Sequence, residues 1–305
     1  MTQNLRIKPR ARSIAGVSLM IAALLMAMPV AVLGEMTPVS YTLDDISEIT
    51  IDSSILDVEV VTTDSNELLL NWVASDSWDI DIVSDDNGLT IAEKSRIGLH
   101  SIGDLSGSKE NRKLHIEIPQ DYQGNVSIQT RTGSITLNGV DLAGNISLDA
   151  SYGAVHISEV HTAGSLHVLC NIGNLTVKDS TSQGPMLLEA KTGTVLLARV
   201  ESGDLLDITN QTGMITLKDT QAETMEIATR FGAVDSTGGL AANTIHVYSF
   251  SGDISFQVDG TADDYTLDCI AKVGRSNVPA LSQDGDKLLE IETELGNIDV
   301  TFADA

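Results

Sequence analysis

A single glycine column constrains this chain more than any other feature. Gly133, Gly153, Gly173, Gly193 and Gly213 are spaced by 20 residues, Gly232 and Gly252 follow at 19 and 20, and Gly274 and Gly296 at 22 each. A second column runs Gly124, Gly144, Gly164, Gly184 and Gly203. Take the main glycine as position 0. Positions −7 and −5 are apolar, from Val126 and Ile128 to Leu289 and Ile291. Positions +2 and +4 are apolar from Ile135 and Leu137 to Ile298 and Val300, with Ser236 as an exception. Polar residues such as Ser127, Gln129, Thr136 and His156 stand between them. This alternation has period two, so each repeat holds two short strands with one buried face.

One repeat cannot bury its own apolar face, so successive repeats must stack. The expected fold is all-β: a β-solenoid of about 20-residue turns with two main parallel sheets. A sandwich of hairpins would not need one glycine phase kept across the repeats, and a helical solenoid would need an apolar period of 3.6. Gly133, Gly153, Gly173, Gly193, Gly213, Gly232, Gly252 and Gly296 read as structural turn glycines, placed where a positive φ suits only glycine. Cys170 and Cys269 fall in inward positions five turns apart, too far to bridge, so two buried thiols are expected.

Upstream, residues 35–120 read as an irregular β region and residues 121–305 as the solenoid repeats. Ile49, Val58, Leu68, Ile80 and Leu114 head or sit within alternating segments, and Asp86-Asn87-Gly88 signals a hairpin. Residues 93–112, with Gly98, Gly103 and Gly107, read as a loop. This region is expected to cover one open end of the solenoid, where unpaired sheet edges invite aggregation.

Residues 1–34 read as a signal peptide or an N-terminal membrane anchor. Arg6, Lys8, Arg10 and Arg12 precede an apolar run from Ile14 to Leu33. The run is long enough to span a bilayer, and both readings put residues 35–305 beyond the cytoplasmic membrane. The expected location is extracytoplasmic: secreted, periplasmic or cell-surface. The whole chain has 18 basic and 43 acidic residues and a net charge of −25. Removing the first 34 residues takes four bases and no acid, which leaves −29. Such a chain repels nucleic acid and, overall, anionic headgroups, so membrane contact is expected only through residues 14–33 if uncleaved.

Three segments carry a resemblance: Leu114-His115-Ile116-Glu117-Ile118-Pro119, then Val126-Ser127-Ile128-Gln129-Thr130, then Thr132-Gly133-Ser134-Ile135-Thr136-Leu137. With Ser251-Gly252-Asp253-Ile254 and Leu295-Gly296-Asn297-Ile298 they resemble the adhesin-like DUF4097 group of bacterial exported proteins. Asp57-Val58-Glu59-Val60 fits the group's first unit, although Leu56 stands where glycine is usual. The resemblance covers roughly residues 46–304. It implies an extracytoplasmic β-solenoid with a surface or envelope-stress role and supplies no catalytic residues.

The chain holds no H-E-x-x-H, G-x-S-x-G or Walker pattern, its histidines are scattered, and no repeating G-x-D ladder for calcium is present. Asp149, Glu189, Asp207 and Glu226 read as outward acids in different columns rather than a facing pair for sugar chemistry. No catalytic residue, metal ligand or cofactor is therefore assigned. Leu169 and Leu187, beside His167 and Glu189, occupy outward columns of one sheet and form the candidate partner-binding face. Tyr248 and Phe250 also point outward and are expected to sit under the loosened segment 274–287. The reading is a non-catalytic exported cell-envelope protein, an adhesin-like scaffold or partner-binding module whose partner is an envelope or surface protein or glycan. An accessory role in envelope-stress sensing is the alternative, and a polysaccharide-active β-helix enzyme comes third.

Overall fold

Each repeat folds as two strands joined through its glycine, as Leu166–Ile172 and Leu175–Ser182 are joined through Gly173. The structure, a computed structural model, describes residues 38–73, 78–85, 87–95, 112–282 and 285–303. The expected targeting segment 1–34 lies outside the described residues. So does most of the expected loop at 93–112, of which residues 93–95 close the strand Gly88–Ser95. Successive turns pair in parallel at a register of 20: Leu148 opposes Val168, which opposes Leu188. The result is a β-solenoid of two parallel-rich sheets, one of 12 strands and one of 14. The residues before each glycine build the first sheet, and those after it build the second.

Positions −7, −5, +2 and +4 form the core between the sheets, and Leu166, Val168, Leu175 and Val177 are all buried. Two further inward positions, +7 and +9, bring in Val160, Ser180, Val200, Thr162, Ser182 and Ser202. Position +4 of the Gly232 turn is Ser236, which is buried and donates to the Gln257 carbonyl at 3.1 Å. That bond removes the cost of placing a hydroxyl in the apolar column.

The glycine column answers mainly to close stacking. A Cβ on Gly193 would overlap the carbonyl oxygen of Gly173 and stand 2.6 Å from its carbon. Gly153, Gly173, Gly213, Gly232 and Gly252 meet the preceding glycine in the same way, and Gly133 meets Leu56. The expected positive φ holds for Gly173, Gly193, Gly213 and Gly252, at 139° to 159°, but not for Gly133, Gly153, Gly232 or Gly296. Left-handed backbone is concentrated at position +6 instead. There Gly139 is followed by Glu159, Asp179, Arg199 and Asp219, with φ between 48° and 62°.

The tight corner leaves glycine carbonyls needing donors. At three turns position −3 supplies one: Asn210 Nδ2 donates to Gly193 at 3.0 Å, Thr293 Oγ1 to Gly252 at 3.2 Å and Ser249 Oγ to Gly232 at 3.4 Å. Cys170 occupies the same position, its Sγ 3.5 Å from the Gly153 carbonyl. At the other glycine column Thr162 and Ser182 serve the carbonyls of Gly144 and Gly164.

Both ends depart from simple stacking. Glu48–Ser53 and Asp57–Thr63 lie in parallel on Asn125–Thr130 and Ile135–Asn138, although more than 70 residues separate the pairs. Trp78–Ser84 and Gly88–Ser95 form the expected hairpin and extend the first sheet. Val39–Thr42 and Glu67–Trp72 add antiparallel strands beyond Lys113–Pro119 on the second. At the other end the last two turns exchange places. Lys287–Leu295 stacks on Thr244–Ser251, and Tyr265–Val273 stacks outside it. The connecting segment then runs along the exposed edges. Cys269 and Ser282 bond to Ala280 and Leu267 on one sheet, and Asn277 bonds to Ile298 on the other.

That exchange places Cys170 and Cys269 six strand spacings apart rather than five, roughly 29 Å at ~4.8 Å per strand. Both thiols are free and buried, and burial pushes each up to about 11. Denaturing alkylation followed by intact-mass measurement should show two labels and no two-proton deficit. An unlabelled, oxidised chain would contradict this register.

Candidate binding face

Side chains at −6, −4 and −2 form three parallel rows on the outer face of the twelve-stranded sheet. The register sets His167 against Leu187 and Leu169 against Glu189, so the structure brings the four expected residues into one cluster on two adjacent strands. The leucines sit diagonally and are half-buried, and His167 is exposed. Leu196, outward on the other sheet, stands alone between Thr176 and Thr216.

The outward acids share rows, contrary to the sequence reading. Asp207 opposes Glu226, Glu226 opposes His246, and His246 opposes Glu290. Burial, and then the charges of Glu226 and Glu189, push the Asp207 carboxyl above its ordinary range. His246 Nδ1 lies 3.0 Å from Glu290. These carboxylates lie in one row on the outer face of the sheet. The depression beside them is lined by Thr209, Gln211, Ala228, Arg230, Tyr248 and Phe250, with Asn210 and Thr229 at its floor, and none of these is a carboxylate, thiol or imidazole. Among the described residues, no three His, Cys, Asp or Glu side chains group closely enough to hold a metal ion.

Among the described residues nothing covers Tyr248 and Phe250. Residues 275–282 run along the end strands instead, and the two side chains remain 39 % and 40 % exposed. Phe250 meets Phe231 edge to face with centroids 5.8 Å apart, and the Arg230 guanidinium lies 5.3 Å from the Phe231 ring. The sequence has only 11 aromatic residues, and three of them share this exposed patch. Phe231 was missed because position −1 is a corner, where period two no longer tells inward from outward. Among the described residues, nine of the eleven large apolar side chains that are exposed belong to strands of the twelve-stranded sheet, and none to strands of the other.

A family model described as Toastrack DUF4097 matches residues 46–301. No curated protein matches the chain. Solved structures resemble it at low identity. A putative adhesin from Bacteroides fragilis is 16% identical, with a TM-score of 0.43 over 88% of this chain and 97% of its own. A putative cell adhesion protein from Clostridium sporogenes is 10% identical, with a TM-score of 0.32 over 88% and 99%. A putative lipid binding protein from Parabacteroides distasonis is 15% identical, with a TM-score of 0.38 over 89% and 97%.

Proposed function

The chain belongs to the Toastrack DUF4097 family, and from that premise we propose a non-catalytic, exported cell-envelope protein. It acts as an adhesin-like scaffold that captures a partner on the outer face of its twelve-stranded sheet. The observation that carries this reading is the set of apolar side chains on that face, the half-buried Leu169 and Leu187 and the exposed Tyr248 and Phe250. Solvated faces scatter such groups singly, whereas interaction faces collect them. A depression lined without carboxylate, thiol or imidazole supports binding over turnover. Export is supported by the basic residues that precede the apolar run from Ile14 to Leu33.

The test compares capture of envelope components by the wild-type chain and by Leu169→Ser with Leu187→Ser. The reading expects a component retained by the wild type and weakened by about 1–3 kcal/mol in the variant. Val168→Ser with Leu188→Ser should instead unfold the repeat, since both side chains are buried. A leucine pair as destabilising as the core pair, or capture equal in variant and wild type, would remove this face from the reading.

A further inference from the structure

Immediately before the main glycines, position −1 forms a straight row along one corner of the solenoid. It runs without a register break from Tyr152 through Ile172, two threonines, Phe231, a serine and Leu295 to Val273. The five apolar members are 45 to 63 % exposed. Eight strands at ~4.8 Å make a row of roughly 34 Å.

Charge on this corner reverses the sign of the molecule. Positions −2, −1 and +1 around the nine main glycines hold five cations, Arg131, Lys191, Arg230, Lys272 and Arg275. They hold two acids, Asp253 and Glu294. The strip is thus +3, while residues 35–305 as a whole carry −29. Lys272 is held at 2.6 Å by both Glu292 and Glu294, which leaves four cations spread along the ridge. Physiological salt screens charges over about 8 Å, so acids on the far sheet oppose an approach to this corner only weakly.

We propose that this corner docks on an anionic lipid bilayer, its apolar row in the headgroup boundary and its arginines and lysines at the phosphates. Ile172, Val273 and Leu295 decide against a glycan: aliphatic chains neither stack on sugar rings nor bond their hydroxyls, but they do enter hydrocarbon. An exposed row continuous over eight strands is longer than a small ligand can cover. Arg230 lying over Phe231 puts an apolar body and a charged tip together, as interfacial side chains require. The apolar run ending at Leu33 lies only four residues before the described chain begins at Pro38, at most roughly 18 Å of extended backbone. A retained anchor would therefore hold the solenoid against the bilayer. Docking by the corner turns the outer face of the twelve-stranded sheet sideways; the −2 row and Phe231 border both contacts, whereas Leu169 and Leu187 belong to the outer face alone.

The experiment uses the full chain on vesicles of phosphatidylcholine with and without phosphatidylglycerol, made with brominated acyl chains. A fluorophore is placed at Ser251→Cys on the ridge or at Gln183→Cys on the opposite corner. The native thiols are buried. Docking predicts quenching at 251 well above that at 183, greater with phosphatidylglycerol. Ile172→Ser with Leu295→Ser should reduce it about tenfold without changing the melt. An anchored but upright solenoid would show no quenching at 251, and that result overturns the proposal. Equal quenching at both sites also overturns it, as does a response of the 251 label to soluble dextran sulfate but not to vesicles. Leu169→Ser with Leu187→Ser should leave the quenching unchanged, so loss of partner capture and loss of docking are read separately.

Discussion

Gly193→Ala should unfold the turns around it, while Gly139→Ala should cost only about 1 kcal/mol. The substitutions are chemically identical and differ in what the new methyl meets and in the backbone conformation it must keep. At Gly193 it overlaps the Gly173 carbonyl, a backbone group that no rotamer change can move aside. Relief requires separating stacked turns, which strains the corner bonds Gly173 N–H to Thr192 and Gly193 N–H to Thr212, both 3.0 Å. A φ of 144° adds backbone strain. The expected loss is about 4 kcal/mol or more, at the upper end for single substitutions. At Gly139 the φ is 62° and nothing lies within 4 Å of the added carbon. The next four turns already place Glu159, Asp179, Arg199 and Asp219 in that conformation. Urea titration followed by circular dichroism, with limited proteolysis to locate the opened turns, distinguishes the two. Midpoints that agree for both variants would refute the stacking account.

The contrast also shows what could be read without coordinates. Equal spacing of glycines and a period-two apolar pattern are properties of a stack, so the turn length, the two sheets and the inward columns were legible. Why the glycines are there was not, because positive φ and close approach select the same residue. The donors at −3 escaped notice since Cys170, Asn210, Ser249 and Thr293 share a role but not a residue type. The exchanged last turns were hidden for a related reason. Leu267 and Cys269 offer the same alternation as Leu289 and Ile291, so either strand can stack on Thr244–Ser251. The connection that caps the sheet edges, not the strand pattern, distinguishes them. At the binding face the leucine pair was visible as two misfits in polar rows. The aromatic patch was visible only in part. Tyr248 and Phe250 alternate correctly, but whether anything covers them depends on the path of segment 274–287.

Ile135→Asp tests the facing of the strands most directly. Ile135 is fully buried, opposite Val58 on one neighbouring strand and Val155 on the other. A carboxylate there would sit among Leu, Ile and Val side chains with no cation within the stack, at a cost of several kcal/mol, or would take up a proton. Either way the apolar column is interrupted where the N-terminal turn joins the repeats, and stacking on both sides depends on it. Thr136, one residue on, points to the opposite side of the same strand. It is half-buried between Glu59 and His156. Thr136→Asp should therefore cost no more than about 1 kcal/mol, chiefly from setting a second negative charge beside Glu59. Thr136→Lys should reverse that small effect by supplying the opposite charge. The order expected in thermal melts is wild type and Thr136→Lys highest, Thr136→Asp slightly below, and Ile135→Asp far below or already unfolded. Comparable losses at 135 and 136 would contradict the assigned facing, and a larger loss at 136 would mean the strand is turned over, because a one-residue slip exchanges every inward side chain for an outward one.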